Sequence, residues 1–209
     1  MSQIKNILFD LGGVLIDIDY KRPAEAFHKL GFRNFEQQYS QVAAGPLFLD
    51  LEKGLIGPDE FFQALQSMGP GQVSIQELED AWNSILLGFR ESSLALLEKI
   101  RKDFRLYLLS NTNAVHHRAF MEIFRKQTGK NNLDDYFDQA FYSHLIGERK
   151  PEPSAYLHVV HQAGIIPGET LFIDDTLENI DAAKKLGFQT IWLEKGSRVE
   201  DWEARGWAI

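Results

Sequence analysis

The sequence predicts an α/β fold, a doubly wound parallel sheet with helices on both faces and a helical insertion after the first strand. Short apolar runs alternate with helical periodicities along most of the chain, and three of those runs end in polar clusters. The stretch from about Asp17 to Gly88 breaks this alternation, with helical patterns and no comparable apolar run. The 209 residues can bury a core unaided, and they exceed a typical domain of about 150 residues by enough to accommodate an insertion.

Ile7-Leu8-Phe9 stops at Asp10 and is followed by Gly12-Gly13, the pattern of a buried strand over Asn6 to Phe9 that breaks into a glycine turn. Phe104 to Leu109 ends in Ser110-Asn111-Thr112-Asn113, and Thr170 to Ile173 ends in Asp174-Asp175-Thr176. Gln189 to Leu193 reads as a fourth strand and Gln139 to Tyr142 as a fainter fifth. Helical patterns run between them over Ser92 to Lys102, Ala114 to Lys126, Ser154 to Gly164 and Leu177 to Leu186. Leu94, Leu97 and Ile100, like Ile180, Ala183 and Leu186, keep the spacing of a buried helix face. Within the insertion, helical patterns over Pro23 to Leu30, Phe35 to Ala43, Pro58 to Met68 and Ile75 to Leu87 are separated by Gly-Pro breaks and by Gly54. The expected division is a core of residues 1–17 and 89–209 with an inserted helical unit of residues 18–88.

Lys and Arg number 22 against 30 Asp and Glu, a net charge of −8 spread along the chain. A uniformly acidic surface repels phosphate backbones, so nucleic acid is not an expected partner. The absence of cysteine excludes disulfides, a thiolate nucleophile and cysteine metal sites. The start lacks the features of a signal peptide and no apolar run approaches about 18 residues, so the expectation is a soluble, cytoplasmic protein without membrane contact. Oligomeric state is not legible in the sequence.

Asp10, Ser110, Lys150, Asp174 and Asp175 are distant in sequence, yet four of them stand at strand ends. A parallel sheet gathers such residues at its carboxyl edge, where open α/β sheets bind ligands. Carboxylates, one ammonium and a hydroxyl make a place for a hard cation beside a phosphate, and an all-oxygen donor set suits Mg²⁺. The Gly12-Gly13 turn lets backbone N–H groups approach an anion closely. The bland readings are that Asp10 caps a turn, that Asp174-Asp175 is a helix N-cap pair, and that Lys150 is a solvated loop lysine.

Phe9-Asp10-Leu11-Gly12-Gly13-Val14-Leu15, Leu109-Ser110-Asn111-Thr112-Asn113, Gly147-Glu148-Arg149-Lys150-Pro151 and Phe172-Ile173-Asp174-Asp175-Thr176-Leu177-Glu178-Asn179 resemble, in order, the four motifs of the haloacid dehalogenase-like superfamily. The first motif is similar to that of bacterial α-D-glucose-1-phosphate phosphatases, a subgroup related to the N-terminal phosphatase-like domain of epoxide hydrolases. The resemblance implies a Mg²⁺-dependent phosphatase acting on a small phosphorylated substrate, with residues 18–88 as the cap. It implies Asp10 as nucleophile, and Asp10, the Gly12 carbonyl, Asp174 and Asp175 around the metal. Ser110, Asn111, Thr112, Gly12 and Gly13 would bind the phosphate, and Lys150 would neutralise charge on the transferring group.

One departure has chemical weight. Most phosphatases of this superfamily carry a second Asp, the general acid and base, where this chain has Gly12. Such proton transfer is worth about 10²–10⁴ in rate. The expectation is a substrate with a good leaving group, such as a hexose 1-phosphate. A 2-haloacid dehalogenase needs no second Asp, but it has no use for Asp174-Asp175 as metal ligands. A phosphate-binding protein that has lost turnover is the third reading, supported by Gly12 alone.

Other residues read as structural. Asp17 and Asp19 are expected to cap the hinge at the entry to the insertion, and His158 and His161 to sit on a core helix. His116 and His117 are adjacent on a helix and point apart, which argues against a metal site. Glu52-Lys53-Gly54 and Trp82-Asn83 are candidate specificity segments of the cap, and the Phe48 and Phe61-Phe62 rings are expected to pack its interior. Trp202, Trp207 and Ile209 make an apolar tail.

Overall fold

In a computed structural model, residues 3–32 and 46–201 are described. Five parallel strands, β1 (Asn6–Phe9), β4 (Arg105–Ser110), β5 (Gln139–Tyr142), β6 (Thr170–Asp174) and β7 (Gln189–Trp192), form a sheet of order β5-β4-β1-β6-β7. The first strand lies at the centre. The chain builds outward on one side through β4 and β5, then returns to the other side of β1 for β6 and β7. That reversal opens a crevice at the carboxyl ends of β4, β1 and β6.

The continuous apolar runs arise because both faces of the sheet are covered. Side chains alternate between faces, so Ile7, Phe9, Leu106, Leu108, Leu171 and Ile173 enter one core cluster. Leu8, Tyr107, Leu109 and Phe172 enter the other. Helices Glu91–Ile100 and Ala114–Thr128 pack on the first face, and Pro153–Ala163 and Leu177–Lys185 on the second.

The insertion departs from its sequence reading in two respects: Pro46–Glu52 is a helix where the sequence marks a Gly-Pro break, and the returning end is not helical. The helix expected over Ile75 to Leu87 ends at Asn83, and Leu86–Phe89 is a strand, β3, pairing antiparallel with β2 (Ile16–Ile18). The departing and returning chain segments thus run side by side. Antiparallel pairing overrides the helical spacing because a two-stranded ribbon satisfies backbone groups that a continued helix would carry away from the sheet. Arg90 closes this junction, donating from Nε to Asp17 Oδ1 at 2.7 Å, from Nη1 to the Val14 carbonyl at 3.0 Å and from Nη2 to the Gly13 carbonyl at 3.1 Å. Asp19 accepts from the Lys21 N–H at 2.9 Å, while the N-cap of the helix that follows is Tyr20, and Asp17, expected to cap, is taken by Arg90 instead.

Helices Lys21–Lys29, Pro46–Glu52, Pro58–Met68 and Ile75–Asn83 enclose their own apolar cluster. Phe61 lies at its centre, 5.6 Å from the Phe48 ring and 5.1 Å from Trp82. Val115 of the long core helix joins the cluster, so the helical layer is seated on the core. The helical pattern at Phe35 to Ala43 and the Trp202, Trp207 and Ile209 tail lie outside the described residues. Truncating Phe61 to Ala is expected to cost about 3–5 kcal/mol through the cavity it opens, read as a lower urea midpoint by circular dichroism.

Candidate active site

Asp10 follows β1, and its N–H donates to the Ile173 carbonyl at 2.9 Å, extending the ladder with β6 by one residue. Asp174 ends β6, so adjacent strands bring the two carboxylates together. Lys150 reaches between them, its Nζ donating to Asp10 Oδ1 at 2.6 Å and to Asp174 Oδ2 at 2.7 Å. Lys150 is 1% exposed and Asp174 fully buried. Asn111 at the end of β4 holds the lysine's backbone twice, accepting its N–H at 2.9 Å and donating to its carbonyl at 2.8 Å.

The Asp174 side chain is saturated. Its Oδ1 accepts from the Thr176 N–H at 2.8 Å and from Asn179 Nδ2 at 3.1 Å, and its Oδ2 accepts from Asn179 at 3.0 Å besides Lys150. Asp175 lies against the glycine turn. A Cβ on Gly13, which has φ +72°, would stand 2.2 Å from Asp175 Oδ2, so both backbone conformation and space demand glycine there. The Trp192 indole donates to the Asp175 carbonyl at 3.0 Å.

Oxygen atoms of Asp10, Asp174 and Asp175 all lie within 4.8 Å of one another, a group able to hold a metal ion. When ionised, three carboxylates against one ammonium leave two negative charges uncompensated, and a bound cation is the direct remedy. The strain shows in protonation. Burial pushes the Asp10 carboxyl from 3.8 up to about 7, with Lys150 opposing and Asp174 and Asp175 adding to the rise. Burial likewise raises Asp175, helped by Asp174. Burial would lower Lys150, but Asp10 and Asp174 together outweigh it and hold the ammonium charged.

Around this group opens a cleft of about 690 Å³ between the carboxyl edge of the sheet and the helical layer. Gly12, Ser110, Asn111, Thr112, Lys150 and Asp175 line its floor, and Ile18, Phe48, Trp82 and Leu86 its far wall. Of the polar run after β4, Ser110 is buried, and Asn111 holds the Lys150 loop. The Thr112 N–H donates to Ser143 Oγ at 2.9 Å while its carbonyl accepts from the same hydroxyl at 2.7 Å. Asn113 caps the next helix, accepting from Val115 and His116 N–H groups at 3.1 and 3.0 Å.

Glu52, Lys53 and Gly54 fasten the helical layer to the core. Glu52 accepts from Arg149 Nε at 2.9 Å, Lys53 donates to Glu152 at 2.8 Å, and a Cβ on Gly54 would meet the His144 carbonyl at 2.2 Å. Burial raises the Glu52 carboxyl despite its arginine partner. His116 stacks on Trp82 at 4.9 Å, and its two ring nitrogens engage the Trp82 carbonyl and the Asn113 amide, each at 3.1 Å. Burial drives its pKa down to about 4, so the imidazole is neutral and structural. His117 turns instead to Tyr142, 4.6 Å away, as the divergence of adjacent helical positions requires. The sequence marks Glu52-Lys53-Gly54 and Trp82 as candidate specificity segments but gives no sign of these cross-layer contacts, and Asn179 beneath Asp174 carries no signal beyond lying inside a motif.

A model described as haloacid dehalogenase-like hydrolase matches residues 4–187. The chain belongs to that family. A D-ribitol-5-phosphate phosphatase from Bacteroides thetaiotaomicron is 38% identical over 204 residues, covering 95% of each chain. A mouse N-acylneuraminate-9-phosphatase is 24% identical, covering 95% of this chain and 86% of its own. A crystal structure of a haloacid dehalogenase family enzyme from B. thetaiotaomicron, in complex with magnesium and inorganic phosphate, superposes on this hydrolase with a TM-score of 0.82. Its sequence identity is 38%, over 92% of this chain and 96% of that one. No helix among the described residues is long and apolar enough to cross a membrane.

A cation held among Asp10, Asp174 and Asp175 would compete with the proton on Asp10. With its carboxyl raised to about 7, the folded, cation-free protein retains a proton that the unfolded chain releases above 3.8, so its stability falls as pH rises through that window. A divalent cation held there would displace the proton. The rise in melting temperature on adding Mg²⁺ is therefore expected to be larger at about pH 8 than at about pH 5.5, measured by scanning calorimetry.

Proposed function

We propose that this hydrolase is a Mg²⁺-dependent phosphatase of small phosphorylated metabolites of the sugar-phosphate class, hexose 1-phosphates among them. The observation that carries the reading is Lys150, buried between Asp10 and Asp174 beside a third carboxylate at the floor of a closed-over cleft. The phosphatase names of its relatives, and the magnesium and phosphate held by a similar enzyme, support it.

In this reading Asp10 attacks phosphorus, the bond to the substrate oxygen breaks, and an aspartyl phosphate forms. Water then attacks phosphorus and releases inorganic phosphate from Asp10. Lys150 offsets charge on the nucleophile and on the transferring group, while Asp174 and Asn111 keep it in place. Ser110, Asn111, Thr112, Gly12 and Gly13 surround the phosphate. Asp10, the Gly12 carbonyl and Asp175, with Asp174 direct or through water, would hold Mg²⁺, whose charge would draw the phosphate oxygens. The residues present fit this ion, being hard oxygen donors in negative excess. The core of residues 1–17 and 89–209 supplies this machinery. The cap of residues 18–88 covers the substrate and excludes water until it is needed for hydrolysis.

Phosphate release from a panel of sugar phosphates tests the proposal. Asp10→Asn is expected to reduce release to background and chelation to do the same, while Lys150→Ala lowers kcat by about 10²–10³. Release that persists in Asp10→Asn would overturn the assignment of the nucleophile. Tight phosphate-ligand binding without turnover would identify a binding protein.

A further inference from the structure

Departure of a phosphorylated alcohol leaves negative charge on its oxygen, and a proton donor placed at that oxygen is worth about 10²–10⁴ in rate. The titratable side chains that line the cleft are engaged or stand at exposed positions of its lining. Glu52 is held by Arg149, and both His116 nitrogens face partners in the protein. Asp17, at the junction, is bound by Arg90. Tyr20, Lys21 and Glu178 stand at exposed positions.

The flank beside Asp10 is apolar. Gly12 has no side chain, and a Cβ built on it would lie 3.2 Å from Ile18 Cδ1 and 3.9 Å from Cγ2. The Ile18 tip thus crowds the place where a side chain of residue 12 would begin, and would have to give by a few tenths of an ångström to admit one. The ribbon explains why it points there. Pairing between β2 and β3 shifts register between Asp17 and Ile18, an irregularity of the kind that re-aims side chains. Asp17 turns to Arg90 while Ile18 lines the cleft.

We propose that Gly12 and Ile18 together determine specificity. They place an apolar surface without a proton donor beside Asp10, and so confine efficient turnover to phosphates whose leaving oxygen is already acidic, as in anomeric sugar, acyl and aryl phosphates. The inference rests on the phosphatase reading. As the Asp10 oxygen bonds to phosphorus, the substrate P–O bond breaks with its electron pair on the departing oxygen. That oxygen leaves as an anion and takes its proton from bulk water. Gly12 and Ile18 are steric neighbours, so a carboxylate introduced at position 12 presses on the Ile18 tip.

The test is kcat/KM across aryl phosphates of graded phenol acidity, with glucose 1-phosphate and ribitol 5-phosphate alongside. A fall of about a hundredfold over roughly three units of phenol acidity is expected, with glucose 1-phosphate well ahead of ribitol 5-phosphate. Gly12→Asp combined with Ile18→Ala is expected to flatten that dependence and to raise ribitol 5-phosphate turnover about tenfold over Gly12→Asp alone. The slope on the unaltered protein tests the proposal even where the double variant fails to fold. A flat slope, or equal turnover of the two sugar phosphates, overturns the pair and directs attention to Glu52 as a donor. No Asp10-dependent release from any substrate overturns the phosphatase reading itself, and the pair with it.

Discussion

An ammonium group 1% exposed must be neutralised where it sits, and Lys150 meets that requirement through Asp10 and Asp174 on neighbouring strands. Stripping water from such charges costs several kcal/mol per ion, so the arrangement survives only with its partners in register and the remaining polar atoms satisfied. Much of the surrounding structure serves that condition. The pairing of β1 with β6 sets the spacing of the two carboxylates, Asn111 fixes the lysine backbone from β4, and Asn179 with the Thr176 N–H saturates Asp174. Three strands and a helix therefore converge on one buried ammonium and its two carboxylates.

The same loop carries the second layer. Arg149 precedes Lys150 and pairs with Glu52, while Glu152 pairs with Lys53. The helical layer is thus tied to the segment that positions the lysine, and the stacked rings of Trp82 and His116 join the layers at another edge of the cleft. Contacts of this kind make the floor and roof of the cleft one mechanical unit. The roof is largely apolar where it faces Gly12, and the polar demands of the site are met from the core side.

The strands with continuous apolar runs were legible because each is covered on both faces, which leaves no polar alternation to confuse them. The polar clusters after β1, β4 and β6 marked the carboxyl edge for the same reason, since a buried strand tolerates polar residues only where it ends. β3 was not legible. Leu86 to Phe89 continues the spacing of the preceding helix, and its strand state comes from pairing with Ile16–Ile18, about seventy residues earlier in the chain. Glu52-Lys53-Gly54 could be singled out as a segment but not assigned, because its partners Arg149, Glu152 and His144 lie in another part of the sequence.

By itself the sequence determined the α/β alternation, a helical stretch after the first strand and the polar groups that stand at the sheet's carboxyl edge, because burial periodicity and residue chemistry are local properties. Tertiary structure alone decided how those groups share the work. Asp174 is saturated by neighbours while Asp10 and Asp175 keep the site's negative excess, Asn111 braces a lysine thirty-nine residues away, and Ile18 takes the space beside Gly12. Each of these turns on which atoms come within a few ångströms across the sheet and the ribbon, and that distance is set only when long-range pairing closes the fold.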